Sequence, residues 1–421
     1  MTEDNKAPSA AGSGHSRFFY GYVIVGIAFL VMLVMFGTYY SFGVFLKPIQ
    51  IGYGWERGQT AGAITVYMVA HAIMYIFVGP LCDRLGPRLV VTVCGVVLGV
   101  GYLLMSRVTA IWQLYGIYGV FIAFGMCGST PPIIATISRW FVKRRGLVAG
   151  IVLAGSGLGT AIMAPIATRL INAYDWQFSY IIIGAATLVL LPVAAQFLRA
   201  NPERMGQVAY GSGEARGGGV NIQSRGLSLR EAIRTRQFAF LCTVGFCFTF
   251  FMQIVMTHLF SHATDIGIPR TSAANIVLII GLGGIVGRVL LGTMGDRLGN
   301  KRLLVGCFMV IVAAFLLPVF AREVWRLYLF AAIFGIAYGG LVVFMSVFTA
   351  ELFGLASLAS ILGVSLFIAT LGGAVGPWLG GRIFDITGSY IWAFLICIAL
   401  AVVAMIFSVM LKPIATKGEG L

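Results

Sequence analysis

Charge is scarce in this chain: only 10% of its 421 residues are Asp, Glu, Lys or Arg, and Asp and Glu together number 14. With 59% apolar residues and a mean hydropathy of +0.95, that scarcity excludes a water-soluble globule, in which about a quarter of residues are charged. CxxC spacings are also missing. The seven cysteines (Cys82, Cys94, Cys127, Cys242, Cys247, Cys307, Cys397) are odd in number and lie within apolar runs or at a loop, so they read as small packing residues rather than disulfides or metal ligands. No GxxxxGK[ST] sequence is present to cradle ATP, and no HExxH, GxSxG or paired intramembrane aspartates support an enzyme. No metal or cofactor is expected. Nothing resembles a nucleic-acid-binding motif, and the alternating pattern of a barrel strand is absent.

What is present is length without polarity. Apolar runs able to cross a hydrocarbon core about 30 Å thick recur at 18–46, 58–80, 88–106, 111–136, 146–171, 177–198, 238–262, 272–294, 303–321, 325–350, 357–383 and 390–411. These predict an all-α membrane protein of twelve helices, because a lipid-exposed backbone must satisfy its own hydrogen bonds. The first run is too long for a signal-peptide core and follows a mostly polar stretch, so it is read as a span. With the N-terminus inside, the cytoplasmic segments hold 20 Lys and Arg against 8 outside, which predicts cytoplasmic termini. The net charge of +15 follows from that topology and suits anionic lipid headgroups. The expected location is the cell (inner) membrane.

Residues 199–236 are polar, glycine-rich and basic, and they divide the chain into a tail (1–17), a six-helix bundle (18–198), a cytoplasmic linker, a second bundle (237–411) and a tail (412–421). Both halves carry the same phrase in the same place: "GPLCDRLGPR" at 79–88 and "GTMGDRLGNKR" at 292–302, with Asp83 and Asp296 213 residues apart. Their carboxylates can accept from donors at neighbouring helix ends and pair with arginines. The reading is an inner-gate latch of Asp83, Arg84, Arg88, Arg139, Asp296 and Arg297; the alternative is that these charges only set topology.

No carboxylate lies at a helix centre. The ionisable groups well inside the runs, Cys and Tyr aside, are Arg288, His258 and His71. An arginine there costs about 2.5–3.5 kcal/mol on insertion scales and marks a functional site by default. With no acid near it in sequence, its expected partner is an anionic substrate whose carboxylate takes the guanidinium fork; the alternative is snorkelling to the inner surface. His71 is read as a packing residue.

The paired motif resembles that of the major facilitator superfamily over the whole chain, which implies two six-helix bundles around a central cavity. "RWFVKRRGLVAGIVLAGSGLGT" at 139–160 and "FDITGSYIWAF" at 384–394 are similar to patterns of the monocarboxylate porters and their bacterial relatives, the oxalate:formate antiporter group. In the first phrase, Gly150, Gly155, Gly157 and Gly159 leave a smooth face for a neighbouring helix. The resemblance implies a substrate-binding arginine in the eighth helix, matched by Arg288. Some animal porters carry an aspartate where Gly284 stands, and a lysine in the first helix that "GTYYSFGVFL" does not contain; the oxalate:formate antiporters place a lysine near Thr370. Candidate substrate contacts are Arg288, His258, Tyr338, Phe36, Tyr39, Leu153, Ser365 and Thr370, with His258 and Tyr338 also open to purely structural roles. His258 and Arg288 are the candidates for proton coupling. The function expected is secondary transport of a small monocarboxylate of lactate or pyruvate type with a proton, by a functional monomer in the bilayer. The rivals are an organic-anion exchanger of the oxalate:formate type, a multidrug exporter and a non-transporting nutrient sensor.

Overall fold

A computed structural model describes residues 19–55, 57–211, 226–321 and 323–412. The expected N-terminal tail, the middle of the linker and all but Lys412 of the C-terminal tail lie outside them. Among the described residues twelve helices are long and apolar enough to span a membrane: Gly21–Tyr53, Gly62–Leu85, Pro87–Met105, Ile111–Trp140, Arg145–Ala173, Trp176–Gln196, Arg236–Asp265, Asn275–Leu298, Asn300–Val319, Val324–Phe353, Leu358–Thr387 and Ile391–Met410. They form two six-helix bundles and are numbered here as spans one to twelve. An even number of crossings puts the start of span one and the end of span twelve on one side, the terminal face.

Local chemistry accounts for the breaks. The motif glycines Gly86 and Gly299 stand between spans two and three and between spans eight and nine at φ +85° and +91°, a region that side chains with a Cβ rarely enter. Span four breaks after Met126 and restarts at Thr130. Pro131 and Pro132 lie in that new first turn, where a missing N–H leaves no hydrogen bond unmade. A π-helical turn over Ile117–Ile122 precedes the break. Spans four and ten stay helical to Trp140 and Phe353, past the expected ends at 136 and 350.

Two apolar cores result. One gathers spans one to six around residues such as Phe45, Leu98 and Trp140, and the other spans seven to twelve around Phe251, Phe308 and Phe334. The first also takes Val343, Val347, Leu358 and Leu362 from spans ten and eleven, so the halves are packed together toward the terminal face. All seven cysteines are free and buried. Exposed Phe77, Leu278 and Trp378 belong to the apolar outer surface that lipid requires.

Candidate functional site

Span eight carries Arg288 to the seam between the halves. The side chain is 8% exposed. Its Nη1 donates to the Leu153 carbonyl at 2.9 Å and to Ser156 Oγ at 3.0 Å, both on span five, and Nη2 donates to Tyr338 Oη on span ten at 3.3 Å. The guanidinium carbon stands 5.8 Å from the centre of the Tyr338 ring. Nε is buried without a partner. A guanidinium has five N–H donors in a fixed fork, and three are used here. The two that remain are Nε–H and one hydrogen of Nη2. Among the described residues the ion pair within 4.0 Å is Arg139 with Asp83, so Arg288 carries its charge without an acid.

Around this group the expected residues divide. Leu153 and Tyr338 touch Arg288, Leu153 through its backbone carbonyl. Tyr338 stacks on Phe334 and Phe248, which fixes its hydroxyl. Phe36 stacks on Tyr40 at 6.2 Å between centroids. Tyr40 is 55% exposed and interacts electrostatically with Arg288 and Tyr338. Tyr39 turns the other way, 8% exposed, with its ring 4.4 Å from Tyr67. Positions 36 and 40 share a helix face, a signal in the sequence that points to Tyr40. Ser156, unassigned in the sequence reading, sits within the glycine-rich phrase of span five. In that phrase Gly150 backs onto Arg288 of span eight, while Gly155 and Gly159 back onto Phe29 and Leu33 of span one.

His258, Ser365 and Thr370 are not drawn to the guanidinium. Ser365 and Thr370 donate to carbonyls of their own helix, at Leu362 and Leu366. His258 Nε2 is 2.8 Å from the Pro377 carbonyl of span eleven, and its ring is 5.1 Å from that of Tyr390. His258 lies seven residues from the Asp265 end of its helix and Arg288 eighteen from the Arg270 end; at 1.5 Å per residue that is roughly 16 Å of depth between them.

Nearer the terminal face the two motif aspartates reach across the seam. Asp83 Oδ2 accepts from Ser360 N at 2.8 Å and Ser360 Oγ at 2.6 Å, and its Oδ1 is 3.3 Å from Arg139 Nη2. Asp296 accepts from Gly146 N and Leu147 N, each at 2.8 Å. Each carboxylate thereby caps the first turn of a helix in the opposite bundle, filling donors that a helix start leaves unpaired. Span five meets span eight backbone to backbone here: a Cβ on Gly292 would stand 2.5 Å from the Gly146 carbonyl, and one on Gly146 would stand 2.4 Å from the Gly292 carbonyl. Arg144, just before the capped turn, has φ +62°, a strained conformation for arginine. Arg88 bonds Gln196 within its own half at 2.8 Å, and Arg84 and Arg297 are exposed. Two cavities of about 250 and 440 Å³ open beside these aspartates; neither reaches Arg288.

The sequence profile of the Major Facilitator Superfamily matches residues 27–321 and 240–420. Monocarboxylate transporter 12 of Mus musculus is 26% identical over 415 residues, covering 92% of this chain and 84% of its own. Monocarboxylate transporter 13 of Rattus norvegicus is 27% identical over 380 residues, covering 90% and 85%. Among solved structures, the proton:xylose symporter XylE bound to 6-bromo-6-deoxy-D-glucose superposes with a TM-score of 0.72 at 13% identity, covering 93% of this chain and 96% of that one. At that identity the likeness is one of fold.

Proposed function

The chain belongs to the major facilitator superfamily, and from that premise we propose that it carries a small monocarboxylate, of lactate or pyruvate size, across the cell membrane together with a proton by alternating access. The observation that carries this reading is the unfilled donors of Arg288: a buried guanidinium with no acid and two N–H groups left over. A carboxylate docked there forms two charge-assisted hydrogen bonds and cancels the buried charge. The relatives named monocarboxylate transporters support the same substrate class. One guanidinium suits one carboxylate. A dianion would bring a second, uncompensated charge into a cavity where desolvation costs several kcal/mol per ion.

Arg288 belongs to span eight, yet two of its bonds end on span five. An anion that draws on the guanidinium therefore perturbs contacts between the halves, and a ligand that changes such contacts shifts the equilibrium between states. With the terminal face cytoplasmic, the caps at Asp83 and Asp296 hold the inner side closed. A proton crossing with the anion makes the cargo neutral.

The test is uptake of labelled lactate into proteoliposomes, driven by counterflow and separately by an inward proton gradient. Arg288→Gln should abolish both at unchanged expression and monodispersity, and Arg288→Lys should be severely impaired because the fork is lost. Lactate or pyruvate should compete for uptake where oxalate, malonate and succinate do not. Normal transport by the glutamine variant would remove the reading.

A further inference from the structure

Span two carries a second buried polar group that substrate binding at Arg288 leaves unused. His71 is 8% exposed, and its Nε2 has no hydrogen-bond partner. With the ring proton on Nδ1, Nε2 is a bare lone pair with no donor to accept from. An unsatisfied buried polar atom costs about 1–3 kcal/mol, and a leucine or phenylalanine would fill the same space without it. His71 is also sandwiched. The Tyr67 ring lies parallel to it at 5.0 Å, and the Tyr75 ring is 4.2 Å away on the other side, spacings at which aromatic faces stabilise a cation.

The aromatic ladder continues into span one. The Tyr39 ring lies 4.4 Å from that of Tyr67 and 4.9 Å from that of Tyr40, and Tyr40 is exposed and interacts electrostatically with Arg288. The groups around His71 are otherwise neutral: Tyr39 and Tyr40 from span one, Tyr67 and Tyr75 from its own helix, and Cys127 from span four, whose thiol donates to the His71 carbonyl. Span eleven packs along span two between residues 358 and 381, a stretch with no titratable side chain. Asp83, twelve residues along span two, is about 18 Å away and already bonded to Arg139 and Ser360.

The repeat adds an independent argument. The 213-residue offset that superposes Asp83 on Asp296 puts Tyr75 at the place of Arg288 and His71 at the place of Gly284. One repeat holds the cation; the other holds an imidazole one helical turn away from the matching position.

We propose that His71 is the proton carrier of the transport cycle, Nε2 taking the proton that accompanies the substrate anion; the inference rests on the proton-coupled reading above. Hydronium from the outer side gives its proton to the Nε2 lone pair and leaves as water. The imidazolium persists between Tyr67 and Tyr75 while the carboxylate occupies Arg288, and Nε2–H returns the proton to water on the opposite side after the halves reorient. Nδ1 keeps its hydrogen throughout. Arginine alone in the empty carrier, and arginine, carboxylate and imidazolium in the loaded one, carry the same net charge, so the cycle is electroneutral.

The experiment compares the unmodified protein with His71→Gln in proteoliposomes. One-proton symport across a gradient of one pH unit supports about tenfold accumulation of the labelled acid. His71→Gln should retain counterflow and lose that accumulation, a split that a packing defect does not produce. Accumulation by the variant equal to the unmodified protein overturns the inference and leaves symport standing; absence of gradient-driven accumulation in the unmodified protein overturns symport itself, and this inference with it. A second measurement does not touch His71: nitrogen NMR of a protein in which His15, His258 and His262 are glutamine. Nε2 should change from bare to protonated as pH falls from 8 to 5 with lactate bound, and a lone pair that persists throughout overturns the proposal even where His71→Gln fails to fold.

Discussion

The two motif aspartates occupy equivalent places in the repeat and are held by different chemistry. Asp83 is 11% exposed and serves two partners at once, the Arg139 guanidinium of its own half and the start of span eleven in the other. Asp296 is exposed; among the described residues it accepts hydrogen bonds from backbone amides, those that start span five, and Arg145 interacts with it electrostatically. The 213-residue offset puts apolar Leu352 at the place of Arg139, and the acid beside it, Glu351, is bonded by Asn300 at 2.6 Å. One latch is thus an ion pair that also caps a helix, and the other is a cap beside a second acid. Both halves have the same arrangement, a carboxylate on a helix start across the seam, while the surrounding charges differ.

The largest expected effect tests whether the asymmetry extends to the substrate. Arg288→Gln removes two charge-assisted bonds to the anion, each worth about 1.5–3 kcal/mol, so uptake should fall at least a hundredfold; residual transport within tenfold of normal would disconnect Arg288 from binding. Next comes Asp83→Asn, which leaves Arg139 half-buried without its counter-ion. Opening of the terminal face should become easier by about 2 kcal/mol, read as faster labelling of a reporter cysteine on the inner half of span ten in a background lacking the native cysteines. Asp296→Asn should shift the same reporter less, by about 1 kcal/mol, the usual worth of a helix cap. Equal shifts for the two variants would erase the distinction between the latches, and no shift for either would reduce the motif to a topology signal. The smallest effect belongs to Arg144→Gly. Relief of the positive φ should favour the closed state by up to about 1 kcal/mol and slow labelling slightly; faster labelling would mean that the Arg144 side chain itself supports the latch.

Much of the site was legible in residue types. Arg288 stands out because a guanidinium in an apolar run demands a reason, and Asp83 and Asp296 stand out because they repeat. Tyr39 and Tyr40 show where that reasoning thins: both are aromatic and adjacent, and only the rotation of span one sends one into the bundle against Tyr67 and the other into the open. His71 shows the same limit from the other side, because a lone histidine in a span reads as packing until its Nε2 is found unpartnered between two rings.

Composition and pattern by themselves determined the twelve spans, the two halves and the repeated latch. Those follow from rules acting within one helix or between sequence neighbours: the length needed to cross hydrocarbon, and hydrogen bonds satisfied inside each segment. Only the tertiary structure decided what each polar group meets. The partners of Arg288 lie 135, 132 and 50 residues away, and Ser360 lies 277 from Asp83. Helical periodicity fixes which side chains share a face, but which face turns toward which neighbour depends on how whole helices pack, and that is a property of the assembled bundles.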